Sequence, residues 1–173
     1  MARVCRSIAW LVVTLTLAAC AGQSEGIPML TVAEIWEDPP AYGNQIVCVK
    51  GQADFMHSMT LAACDPPSCD CNRSGGHLSL LNEAGRRDRA IWVATTETGL
   101  LCEGNECEMI CRPFDPRSAD ALELVGRLRV QRVDGSSYHL ILDDLDLEAS
   151  RQLVAGQWKP ISTETVTITL REP

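Results

Sequence analysis

The chain has 173 residues, with 15 Lys and Arg against 23 Asp and Glu, giving a formal net charge of −8 at pH 7. A surface this acidic repels phosphate backbones and anionic headgroups, which argues against nucleic acid as the main partner. The length suits one domain with its own core, and nine cysteines point to an oxidising compartment or to metal.

The N-terminus falls into three blocks. Residues 1–6 carry Arg3 and Arg6 with no acid, residues 8–17 are almost wholly apolar, and Ala18 and Ala19 are small. This is the pattern of an export signal, and the apolar run is too short to span a bilayer, which takes roughly 20 residues. The tetrapeptide Leu17-Ala18-Ala19-Cys20 resembles the lipobox of bacterial lipoproteins. That resemblance implies cleavage before Cys20, a diacylglyceryl group on its thiol, and anchoring of the new N-terminus in the lipid bilayer. Two acyl chains anchor stably where one is marginal. Ala21 in place of an aspartate points, by the same resemblance, to the outer membrane of a two-membrane cell. Otherwise the chain sits on the cell membrane, facing the exterior. A second Leu-Ala-Ala-Cys at 61–64 follows the polar Phe55-Met56-His57-Ser58 and is a coincidence of letters.

Removing residues 1–19 leaves 154 residues and takes the formal charge from −8 to −10, because only Arg3 and Arg6 are lost. Residues 20–30 form the lipidated cysteine and a short tether. Of the remaining cysteines, Cys48 lies in an apolar run and reads as a buried reduced thiol acting as a small hydrophobe. Cys64, Cys69, Cys71, Cys102, Cys107 and Cys111 form two tight clusters, and three disulfides would consume them in any of many pairings.

Thr31-Val32-Ala33-Glu34 is a capping box, opening a short helix that must stop before Pro39-Pro40. Beyond Gly43-Asn44 the chain turns to strands. Residues 45–55 form a long strand with a bulge or sharp bend expected at Gly51. Strands at 77–81 and 90–96 flank the charged turn 82–89. In 121–133, Leu122, Leu124, Leu128 and Val130 alternate with Arg127, Arg129 and Gln131. Asp134-Gly135 then makes a hairpin turn into the strand 138–147. A last alternating stretch, 165–170, is an extra edge strand or an arm in the C-terminal extension 149–173.

Five strands with a cysteine-rich insertion at 97–112, between the third and the fourth, resemble the OB-type domains of bacterial exported proteins, a group without an assigned function. The stretches "DPPAYGNQIVCVKGQADF" and "ELVGRLRVQRVDGSSYHLILDDLDL" carry the resemblance. The expected fold is mainly β: a small five-stranded OB-like barrel over 31–148, with a short N-terminal helix and a disulfide-rich insertion. A small β-sandwich is the alternative.

OB-type domains take ligands on the face of their second and third strands. That face offers His77 and Trp92, with Arg127 and Arg129 as a basic stripe and Arg86, Arg87 and Arg89 in the turn. A solvated outer face is the plainer reading of these arginines. Tyr138 and His139 are assigned to the hairpin rather than to the face. A sharper alternative is a soft metal site. Met56, His57, Met59, Cys64, Cys69, Cys71 and His77 would suit copper or zinc, although no spacing is that of a standard zinc pair. Cys69-Asp70-Cys71 is a poor redox pair, since the neighbouring Asp65 and Asp70 raise a thiol pKa. No hydrolase, zincin or P-loop motif is present, and Asp143, Asp144 and Asp146 lack the spacing of a calcium loop. The expectation is a membrane-anchored, non-enzymatic binding or scaffolding module without a cofactor, whose partner is an envelope protein or glycan.

Overall fold

The computed structural model describes residues 26–61, 71–95, 101–112, 115, 117 and 119–170. The signal, Cys20, Cys64 and Cys69 lie outside the described residues. Among the described residues the chain is mainly β with one short α-helix.

Strand β1 (Met29–Thr31) runs parallel to β2 (Ile46–Met59). Between them, α1 (Val32–Glu37) is held by the expected capping box. The Thr31 N–H donates to the Glu34 carboxylate at 2.7 Å, and the Glu34 N–H donates back to the Thr31 hydroxyl at 3.2 Å. Pro39 ends the helix and opens a 3-10 turn, Pro39–Tyr42. Val32 and Ile35, fully buried, close one end of the core.

Strand β3 (Arg73–Leu81) pairs antiparallel with β2 and with β4 (Ile91–Val93). Strand β7 (Ala121–Asp134) pairs antiparallel with the first half of β2 and with β8 (Ser137–Val154), and β4 runs parallel to β8. Following these pairings, β2, β3, β4, β8 and β7 close into a ring. The inward positions are the apolar ones: Val47, Val49, Leu78, Leu80, Ile91, Val93, Leu122, Leu124, Leu128, Leu140 and Leu142. Strand β4 is shorter than expected, and β2, β3 and β8 are longer. The expected boundary at 148 falls inside β8.

Gly51 is not a bulge. Strand β2 passes from β7 to β3 at residues 51–52 with no shift of register in either pairing. A Cβ at Gly51 would lie 2.9 Å from both Leu80 and Val32, so glycine is required there by the close approach of three elements. The bulges sit instead where β7 meets β8. Asp144 takes a left-handed conformation (φ +48°) at one of them, which a short polar side chain tolerates. At the next, Ser150 closes the loop of extra residues by accepting from the Val125 N–H at 2.9 Å and donating to the Asp146 carbonyl at 2.5 Å.

The cysteine-rich insertion is a hairpin, β5 (Cys102–Asn105) and β6 (Glu108–Cys111), laid antiparallel on the start of β3. Cys102 and Cys111 face each other across it and form a disulfide. The Asn105 side chain accepts from the Cys107 and Glu108 N–H groups, which closes the turn at residues 106–107. Strand β9 (Gln157–Pro160) folds back on the end of β8, and β10 (Val166–Thr169) adds an outer edge to β6.

Candidate functional site

In β4, Ile91 and Val93 point into the core, which turns Trp92 outward. The register then sets its neighbours. Trp92 lies opposite Ser79 of β3 on one side and Ile141 of β8 on the other, and Ile141 lies opposite Arg129 of β7. His77, two residues from Ser79, and His139, two from Ile141, share that outer face. The His77 ring meets Trp92 edge-on at 6.0 Å between centroids, and His139 meets it from the other side at 6.4 Å. The result is a diagonal of three rings across β3, β4 and β8. Met56 of β2, half-buried, extends it opposite His77. At the β2 side, Arg87 clamps Asp54 with two hydrogen bonds of 2.9 Å.

The arginines expected to form a basic stripe are paired. Arg129 binds the Asp143 carboxylate. Arg127 binds Asp144 at 3.2 Å and the Asn44 carbonyl at 3.0 Å. Burial pushes the Asp143 carboxyl above the usual carboxylate range, and the Arg129 charge only partly opposes this. Its Oδ1 is buried with no hydrogen-bond partner among the described residues. Trp92 therefore looks out from a charge-compensated surface rather than a cationic one.

Of the soft-metal set, Cys64 and Cys69 lie outside the described residues, and the two histidines do not come together. His57 lies opposite Gly76 and is exposed, while His77 lies opposite Met56, so the two imidazoles fall on opposite faces of the sheet. Cys71 is in a disulfide, as is Cys107, and a disulfide sulfur offers no thiolate. Among the described residues no three His, Cys, Asp or Glu side chains group as metal ligands would. Cys48 is a buried thiol.

His139 is the member of the face that the hairpin assignment left out. Its signal was present in "YHLILDD": with Leu140 and Leu142 inward, His139, Ile141 and Asp143 must point outward together. The hairpin turn is at Gly135-Ser136, one residue later than the Asp-Gly pair suggests. A shift between Arg132 and Asp134 restores the parity that sets Gln131 against His139.

No protein family, curated protein or solved structure matches the chain. Function has to be argued from the site itself.

Proposed function

We propose that this is a lipid-anchored, non-enzymatic binding or scaffolding module of the bacterial cell envelope, with the strand ring acting as an OB-type barrel. The order β2-β3-β4-β8-β7, with β4 parallel to β8, supports the barrel reading. In such folds the second and third strands of the ring carry the ligand face. Here those strands are β3 and β4, which hold His77 and Trp92. The lipobox at residues 17–20 supports the anchor, with Cys20 as the acylated residue and the bilayer as its first partner.

The observation that carries the binding role is Trp92 itself. A large indole is held on an outer face between two imidazoles, beside arginines that are already paired. Aromatic anchors of this kind supply contact area at low entropic cost, and the paired charges around them set orientation more than affinity. An envelope protein or a glycan fits this chemistry.

A photo-crosslinking phenylalanine placed at position 92 in growing cells tests the reading. A discrete adduct from position 92, absent from the same probe at Thr167 on the far edge, is the expected result. Equal adducts from both positions would count against this face. Cys20→Ala should move the chain from the membrane fraction to the soluble one.

A further inference from the structure

A separate pocket of about 490 Å³ opens at one end of the ring, where the end of α1, the 3-10 turn Arg87–Arg89 and the β7–β8 hairpin meet. Its walls include Trp36 and Tyr138, both half-buried and packed against the core, and Pro39 and Pro40, which stiffen the backbone between them. The volume lies within the roughly 300–1,000 Å³ of small-molecule sites. Tyr138 and His139 are consecutive on β8 and point to opposite sides, so this pocket and the Trp92 face share no side chain.

Its polar groups narrow the ligand. The Trp36 indole N–H is itself buried, so other atoms of Trp36 line the pocket. Glu37 and Asp38 stand exposed at the rim, Asp88 is engaged by Arg86 at 2.6 Å, and Arg89 forms no ion pair among the described residues. An anion would answer Arg89 but meet two carboxylates. A cation would answer the carboxylates but meet the Arg89 guanidinium. Hydroxyl groups donate and accept, so a neutral polyol satisfies all of them, and two aromatic walls suit the apolar face of a ring.

We propose that this pocket binds a neutral saccharide unit, with Trp36 and Tyr138 as platforms and Glu37, Asp38 and Arg89 as the rim that orients its hydroxyls. The inference does not depend on the role of the Trp92 face.

The test uses the full chain in detergent micelles with 15N-labelled tryptophan. The Trp36 indole resonance is identified from a Trp36→Phe variant. The probes are chitotriose and maltotriose as neutral saccharides, with inorganic phosphate and spermidine as charged ones. The expected result is a saturable shift of the Trp36 resonance with at least one neutral saccharide. Asp38→Asn or Arg89→Gln should weaken it about tenfold, the worth of one charge-assisted hydrogen bond. Because both variants change exposed side chains, they separate lost binding from lost folding even if Trp36→Phe fails to fold. The proposal is overturned if the Trp36 resonance stays still with both saccharides at tens of millimolar. It is equally overturned if phosphate or spermidine moves that resonance as far. A shift at Trp92 in place of Trp36 would assign the saccharide to the outer face and remove it from this pocket.

Discussion

Ser150 is the side chain on which the path of β8 depends. It is fully buried, and its hydroxyl bridges the extra residues of the bulge: the Val125 N–H donates to it at 2.9 Å, and it donates to the Asp146 carbonyl at 2.5 Å. In Ser150→Ala both bonds go. Asp146 is exposed, so its carbonyl can recruit water at little cost. Val125 is only 1% exposed, and its N–H is left buried and unanswered, at about 1–3 kcal/mol. The expected loss is about 2 kcal/mol, or roughly 4–8 °C in Tm for a domain of this size. Urea unfolding followed by tryptophan fluorescence without reductant should show a lower midpoint and an unchanged slope. Ser136→Ala, at the exposed hairpin turn, is the control and should stay within about 0.5 kcal/mol of the parent chain. If Ser150→Ala did no more than that control, side-chain packing would be holding the bulge and the hydrogen-bond reasoning would be wrong.

Three further outcomes follow from particular groups. The raised pKa of Asp143 means that the folded state holds its proton more tightly than the unfolded chain does. Its contribution is fully present below the ordinary value of 3.8 and is lost as pH rises through the higher folded value. Asp143→Asn should therefore gain stability relative to the parent as pH rises through that window, and a relative loss in urea titrations would refute the assignment. Glu34 behaves oppositely: its hydrogen bonds from the Thr31 backbone and side chain hold its pKa below 4.5. Its stabilisation is present above 4.5 and fades as pH falls through the folded value, so Thr31→Ala should cost about 1 kcal/mol at pH 7 and less in acid. Gly104→Ala would drive a Cβ to 2.1 Å from the Glu108 carbonyl oxygen, a backbone atom that cannot step aside. The β5–β6 hairpin should open at a cost of about 2–3 kcal/mol, seen as faster amide exchange in β6 and β10.

The proposed contact face around Trp92 and the proposed saccharide pocket are separate, and neither includes a residue of the β5–β6 hairpin. The Cys102–Cys111 bridge instead ties β5 to β6, and β6 carries the last strand of the chain. Its role is to hold an added edge rather than to line either site.

Local pattern alone was enough for much of this. The capping box at Thr31 and Glu34, the stop at Pro39, the inward Leu122, Leu124 and Leu128, and the outward Arg127 and Arg129 all follow from short-range periodicity and sterics. The helix cap bonds over three residues, and side chains along a strand alternate whatever the partner strand is. Pairing is different, because it joins residues far apart in the chain, and a shift of one position exchanges the two faces. Only the tertiary structure decided that β4 lies beside β8, which brings Trp92 to His139, and that Arg129 meets Asp143 and is no longer a loose cation. The same register set His57 and His77 on opposite faces of the sheet, although their strands are paired side by side. Gly51 shows the limit from the other side. The strand pattern suggests a bulge or sharp bend there, but what demands glycine is Leu80 and Val32 approaching from two other elements, and no local pattern contains that.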